Sequence, residues 1–439
     1  MRKPEKMIIY NLFPLLAGRF NDWGPHLERA AGMGFNWIYI NPIQRPGSSG
    51  SLYSVADYFS YNPAFTDPAD KRPPKEQAMA MVKQARGLGL KIMTDLVANH
   101  CAVDSELLKT HPGWFLWSKS SRAGRPRVEH PFALENGGMV VWKDLAKFDH
   151  RGTPDPEGLF AYFKSVVEDL IETGFEGFRC DAAYQVPNRF WRRLIEETKK
   201  RHPAVLFFAE TLGCPPDQTR KTAGAGFDYI FNSSKWWDFS GHWLLEQYAL
   251  TREIAPSVSF PESHDTERLS EDLGGNIEGL KQHYLFSALF SAGVMIPAGF
   301  EFGFRKRLHV ASTTPRDWEK TGIDLRDFIT KVNAIKSEHA VFQEEAPTAA
   351  LPYRNPDVLV MWKASVATEE EALLILNKDM RGKQRFCVED IHRLLQAGAP
   401  VSDVSPEYAL DYIPSPFRYD LRPGQGIVLA TKRDVYQPD

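Results

Sequence analysis

The chain has 439 residues, with 53 Lys and Arg against 56 Asp and Glu, a formal net charge of −3, and 43% hydrophobic and 12% aromatic residues. That apolar content fills a large core and excludes a disordered, collagen-like or coiled-coil chain, and no apolar run approaches the roughly 20 residues of a membrane span. The near balance of charge provides no sequence-wide field toward nucleic acid or an anionic membrane, so a neutral or small substrate is expected and neither of those partners.

Residues 7–13 read as a first strand rather than an export signal, because Tyr10, Asn11 and Pro14 interrupt the apolar stretch and no A-x-A site follows. Further short apolar runs follow at 36–42, 90–97, 177–182, 204–210, 227–232, 257–265 and 293–301, separated by amphipathic stretches such as 74–89 and 189–203. In 74–89, Ala78, Met81, Val82 and Ala85 recur at helical spacing and Gly87 is expected to close the helix. Eight βα units without a glycine-rich fingerprint after the first strand predict a closed (β/α)8 TIM barrel rather than an open doubly wound sheet. The long connection between Val97 and Gly177 holds His111-Pro112-Gly113-Trp114, the basic stretch 121–127 and the Gly137-Gly138 pair. It reads as an inserted subdomain at about 101–158. After Phe342 short β-rich runs at 358–362, 372–377, 385–390 and 426–431 alternate with turn residues, which predicts a C-terminal all-β sandwich over 343–439 and leaves 1–342 to the barrel. The four cysteines, Cys101, Cys180, Cys214 and Cys387, lie far apart with no C-x-x-C pair. That suits a cytoplasmic protein of buried thiols, with no disulfide framework or zinc site.

Four of the strands end in an acid: Asp95, Asp181, Glu210 and Asp265. The C-terminal ends of barrel strands form the active-site rim, so these acids converge on one mouth. A single strand-end acid is most simply a helix cap or a structural ion pair, and four together point to a site. Arg179 and Asp181, two apart, face one side of their strand and Cys180 the other. Arg179 is thereby expected to hold Asp181 ionised, as a nucleophile requires, while a second carboxyl in a less polar setting stays protonated as general acid. Two carboxyls flanking a bond are the arrangement that cleaves glycosidic linkages. Ser263, His264 and Asp265 are consecutive and cannot form a hydrolase triad, and His100 and His111 lack an H-E-x-x-H context. Trp236, Trp237 and Trp243 are expected to be core.

These residues resemble the α-amylase family, glycoside hydrolase family 13. Asp95-Leu96-Val97-Ala98-Asn99-His100 is similar to its first motif, 177–182 to its second, Phe208-Ala209-Glu210 to its third and Ser263-His264-Asp265 to its fourth, and Tyr53 and Asp57 to its segment after the second strand. The resemblance spans nearly the whole chain. It implies Asp181 as nucleophile, Glu210 as acid and base, and Asp265 as stabiliser of the distorted sugar. It further implies His100 and His264 hydrogen-bonded to the reacting ring, Tyr53 stacked beneath it, and Asp95 and Arg179 ordering the site, with α-glucans or maltooligosaccharides as substrate and configuration retained. Where starch-cleaving members often carry Lys-His after the nucleophile, this chain has Tyr184 and Gln185. The stretch 181–210 also resembles the glucan maltosyltransferases, although their Asp-Asn-Pro-His is absent. A retaining hydrolase, a transglycosylase and a carbohydrate-binding protein without catalysis thus stay open, the last disfavoured because nucleophile, acid and stabiliser are all present. No cofactor or metal is expected. Asn99 matches a residue that often serves calcium in the family, but Gln185 replaces its His and the acids of the insertion, Asp104, Glu106, Glu129, Glu135, Asp144 and Asp149, are scattered.

Overall fold

A computed structural model describes residues 6–118, 127–135, 138–395 and 400–433, so all of the basic stretch 121–127 except Arg127, and Gly137 of the glycine pair, lie outside the described residues. Eight parallel strands close into a barrel in chain order. They are β1 (Met7–Asn11), β2 (Trp37–Ile40), β3 (Lys91–Leu96), β4 (Gly177–Cys180), β5 (Leu206–Glu210), β6 (Tyr229–Phe231), β7 (Ser257–Ser259) and β8 (Gly293–Pro297), and β8 pairs back on β1. Each lies within one of the eight apolar runs, and the (β/α)8 fold with an insertion after β3 and an all-β C-terminal region is as the sequence predicts.

Strand alternation divides the apolar residues into two sets. Met7, Ile9, Trp37, Tyr39, Met93, Phe208, Tyr229 and Phe231 pack together inside the barrel. Ile8, Ile38, Ile92, Phe178, Cys180, Phe207 and Ile230 face outward into the cluster shared with the helices. A Cβ at Gly177 would stand 3.0 Å from both Met93 Cβ and the Trp37 ring, so glycine there lets the large interior side chains fill the barrel.

Among the described residues the helices of eight or more residues are α1 (Gly24–Gly32), α2 (Pro74–Gly87), α3 (Pro156–Thr173), α4 (Asn188–Arg201), α5 (Pro216–Ala223), α6 (Trp243–Thr251), α7 (Ile277–Phe290) and α8 (Arg326–Glu338). The helix α4 buries Phe190, Trp191, Leu194, Ile195 and Thr198 along one stripe, each large apolar side chain contributing about 1.5–3 kcal/mol, and it ends before His202 and Pro203. In α2 the left-handed residue beyond the end is Gly89, at φ +77°, and Gly87 is still helical. None of the described helices is long and apolar enough to cross a membrane.

Between β3 and α3 the chain makes short antiparallel pairs: His100–Ala102 with Leu145–Lys147, Trp117–Ser118 with Arg127–Val128, and Phe132–Glu135 with Gly138–Val141. Beyond α8 lie β9 (Thr348–Leu351), β10 (Val358–Ala364), β11 (Glu370–Asn377), β12 (Gln384–Val388), β13 (Ser402–Asp403), β14 (Phe417–Leu421) and β15 (Gly426–Lys432). Strands β9, β10, β11, β15 and β13, in that order, form one antiparallel sheet, and β12 pairs with β14 as a separate ribbon. One face of the sheet, with Val360, Leu373, Ile375 and Leu429, packs on Phe386 and Phe417 of the ribbon. The other face, with Leu359, Met361, Leu374 and Val428, joins the core around the barrel.

Candidate active site

The register β4 makes with its neighbours assembles the site. Arg179 is the ladder partner of Asp95 on one side and of Phe208 on the other, and Cys180 that of Ala209. Asp95, Arg179, Asp181 and Glu210 therefore point inward at the C-terminal mouth, and Cys180 is turned into the outer core, where burial pushes its thiol far up and leaves it inert. The fourth acid, Asp265, arrives on the loop after β7.

Arg179, 4% exposed, is the hub. One terminal nitrogen donates to Asp95 and to Asp181 Oδ1 at 3.1 Å, and the other lies 3.3 Å from Glu210 Oε2 and 3.5 Å from Asp265 Oδ2. The outer carboxylate oxygen of Asp95 accepts from Tyr39 at 2.6 Å and Tyr53 at 3.0 Å. Glu210 Oε2 accepts the Ala182 backbone N–H at 2.6 Å. His264 Nε2 meets the Tyr53 hydroxyl at 2.7 Å and Asp265 Oδ2 at 3.1 Å, and the rings of Tyr53 and His264 are stacked 6° from parallel. His100 Nε2, buried and without a hydrogen-bond partner, stands 4.0 Å from Asp181 Oδ2. Four of the eight residues expected at the site, Arg179, Glu210, His264 and Asp265, line one cleft together with Phe231, Phe260 and Met295, and the contacts above tie Tyr53, Asp95, Asp181 and His100 to them. Asp57 is remote from it, engaged with Arg45 at 3.3 Å and Ser60 at 2.6 Å.

Two contributors escape a motif reading. Tyr39 holds Asp95, and Asn41 donates to Tyr53 at 2.9 Å while accepting from Asn11 at 2.9 Å. Their position at the inward end of β2, two residues apart, is the signal that strand parity offers for them.

One arginine among four carboxyls leaves an excess of negative charge in a site where Asp95, Asp181 and Glu210 are shielded from solvent and the Asp265 side chain, 41% exposed, reaches it. Burial first, and then the Glu210 charge, push the Asp181 carboxyl well above the ordinary carboxylate range, and Arg179 at 3.1 Å does not reverse this. This corrects the expectation that Arg179 alone keeps Asp181 ionised. Burial and Asp265 raise Glu210 as well. The two carboxyls therefore titrate as a pair that retains a proton where ordinary acids have lost theirs. Burial also raises Asp265, but His264, Arg179 and Arg307 outweigh it and hold that carboxyl at about 2. Burial drives the His100 imidazole down to about 4, so it is neutral at pH 7.

At the junction with the insertion four consecutive backbone oxygens, those of residues 97–100, are already engaged. Tyr58 donates to the carbonyls of Val97 and His100, both at 2.9 Å, His150 Nε2 to that of Ala98 at 2.7 Å, and Phe148 N to that of Asn99 at 3.0 Å. The Asn99 amide donates to Gln185 Oε1 at 3.2 Å. A calcium ion wants six to eight oxygens, and this donor set does not fit one. Among the described residues no group of three or more His, Cys, Asp or Glu is placed to hold a metal. Of the three tryptophans expected in the core, Trp237 is buried, but Trp236 is 52% and Trp243 36% exposed.

A family profile described as the glucanotransferase domain of glycogen debranching enzyme matches residues 3–118. An α-1,4-glucan:maltose-1-phosphate maltosyltransferase of Burkholderia pseudomallei is 24% identical over 380 residues, covering 83% of this chain and 32% of the relative. A cyclomaltodextrinase of Geobacillus thermopakistaniensis is 24% identical, covering 80% of this chain and 61% of the relative. The chain thus spans between a third and three fifths of these relatives' length. The crystal structure of a noncanonic maltogenic α-amylase from Thermotoga neapolitana superposes with a TM-score of 0.75 at 21% identity, covering 97% of this chain and 99% of that one. With four motifs in order at the ends of β3, β4, β5 and β7, gathered on one arginine, and relatives of these kinds, the chain is similar to the α-amylase family, glycoside hydrolase family 13, with a resemblance to its maltosyltransferase branch.

Proposed function

We propose that the protein is a retaining α-glycosidase acting on α-glucans or maltooligosaccharides by double displacement. The observation that carries this reading is the convergence of Asp181, Glu210 and Asp265 on Arg179 at the C-terminal mouth of the barrel. In the first step an Asp181 oxygen bonds to the anomeric carbon as the glycosidic bond breaks, and the proton held by the pair passes from Glu210 to the departing oxygen. Glu210, now a carboxylate, takes a proton from the incoming hydroxyl, whose oxygen displaces Asp181 and restores the starting state. Asp265, ionised throughout, faces the positive charge that develops on the ring, and neutral His100 is available as a hydrogen-bond partner to a sugar hydroxyl. No step uses a metal or cofactor, and the engaged carbonyls at the insertion junction support that reading.

Water as the incoming hydroxyl gives hydrolysis and a sugar gives transfer. The maltosyltransferase relatives, together with Tyr184 and Gln185 after the nucleophile, favour transfer as the second reading. Maltose, maltooligosaccharides and maltose 1-phosphate are offered in turn and the products separated by chromatography. Shortened chains and free maltose mark the hydrolase, and chains longer than any supplied mark the transferase. Absence of turnover on all three would contradict the proposal.

A further inference from the structure

We infer that Trp236 is a stacking platform for the glucosyl unit on the leaving-group and acceptor side of Glu210. The inference rests on the reading of the cleft as an α-glucan site and adds a binding residue outside the motifs. Lone exposed aromatics are ordinary on protein surfaces, so exposure by itself decides nothing. What distinguishes Trp236 is how it is held and where.

Its neighbours on both sides are fixed. Lys235, 9% exposed, donates to Asp272 at 2.7 Å, and Trp237, 3% exposed, donates to the Gly241 carbonyl at 2.6 Å and packs on Phe286. Between these anchors Trp236 is left 52% exposed, in the turn that follows β6 at the C-terminal end of the barrel. The loop after β5 meets it there. Gly213 N donates to Ser233 Oγ at 3.1 Å, Ser233 in turn accepts the Trp236 N–H at 3.2 Å, and a Cβ on Gly213 would lie 3.8 Å from the indole edge. Gly213 has φ +73°, a backbone conformation that glycine adopts without strain. Leu212 lines the cleft beside Glu210. The chain segment from Glu210 through Leu212 and Gly213 therefore runs from the cleft to the edge of the indole. Glu210 delivers its proton to the oxygen of the departing sugar, and Trp236 is an exposed aromatic side chain packed against the loop that carries on from Glu210. The C–H face of a pyranose is apolar and covers an indole well.

The test is calorimetric. In an Asp181→Asn background, which prevents turnover, maltoheptaose is titrated with Trp236 intact and replaced. Trp236→Ala is expected to weaken binding about 3- to 10-fold, the range of a stacking contact, and Trp236→Phe to restore most of it. In the otherwise unaltered enzyme, kcat/KM falls more for maltoheptaose than for α-maltosyl fluoride, whose leaving group carries no sugar. Unchanged affinity, or equal losses on the two substrates, would overturn the inference, as would a complete lack of affinity for maltoheptaose. Turnover that survives Asp181→Asn would instead sink the assignment of the nucleophile, while the titration still decides the role of Trp236.

Discussion

In the proposed mechanism Asp181 and Glu210 carry the reaction at a cost to the fold. A carboxyl whose folded pKa is raised favours the folded state only while protonated, so its contribution is present below the unfolded value of about 4 and is lost as pH rises through the folded one. Asp181→Asn removes one negative charge from the cluster around Arg179, and is expected to abolish turnover while raising Tm by about 1–3 °C at pH 7. The gain should vanish near pH 4, and calorimetry at the two pH values checks it. Asp265, held at about 2, stays ionised far below neutrality, so the alkaline limb of the activity profile belongs to the proton shared by Asp181 and Glu210. In Glu210→Gln, substrates with good leaving groups should still react, the alkaline limb should disappear, and azide should restore turnover in place of activated water. A limb that persists in Glu210→Gln would place the acid elsewhere. The acids and Arg179 were legible because strand parity sets direction two residues at a time. The direction of the Asp181 shift was not, because it depends on how many carboxyls share one arginine in a largely buried site.

Among the elements, the loop after β7 carries His264 and Asp265, and an ion pair closes its neck. Arg268 donates to Glu262 Oε1 at 2.6 Å, to the Ala298 carbonyl at 2.9 Å and to the Lys306 carbonyl at 3.2 Å, while Glu262 Oε2 accepts the Leu269 N–H at 2.6 Å. Both partners are 1% exposed. Arg268→Met leaves Glu262 buried and unpaired and is expected to destabilise the chain by about 3–5 kcal/mol, most of which Glu262→Gln in the same chain should recover. Urea unfolding of the single and double variants measures this, and equal stability of the single variant and the parent would show that the pair does not clamp the loop. Nothing in local periodicity announces such a pair, because its members lie six residues apart on an irregular loop and the other partners of Arg268 follow β8. The C-terminal strands follow the same logic. Runs 358–362, 372–377 and 426–431 were legible because the central sheet is covered on both faces, which makes β10, β11 and β15 almost continuously apolar. β14 alternates, with Phe417 and Leu421 buried and Arg418 and Asp420 outward, and so gave no apolar run.

At the scale of the whole molecule, barrel, insertion and C-terminal sheet meet through direct protein contacts. Lys363 of β10 is buried and donates to the Phe290 carbonyl at the end of α7 at 2.6 Å, and Lys336 of α8 donates to the carbonyls of Ala288 and Ser291 at 2.8 and 2.7 Å. Both side chains lie on the carbonyl-rich end of one helix, which favours positive charge, but burial works against it, holding the Lys363 amine down to about 8 and the Lys336 amine well below the ordinary lysine range. The insertion is joined to the barrel by Tyr58, His150 and the Asn99–Gln185 pair, in the region where the family often uses calcium. Dialysis against EDTA should therefore leave both Tm and initial rate unchanged. A large loss in both, restored by calcium and not by magnesium, would show that an ion pins the insertion.

The central claim is a covalent glycosyl-enzyme on Asp181. Incubation with a 5-fluoro glycosyl fluoride accumulates that species, and trypsin cleaves after Arg179 and Arg189 to isolate a peptide of residues 180–189 with Asp181 and no other carboxylate side chain. Peptide mass spectrometry should find this peptide heavier by one fluorosugar, with the label lost on adding an acceptor sugar. An unlabelled 180–189 peptide from inactivated enzyme, or a label on any other peptide, would contradict the account.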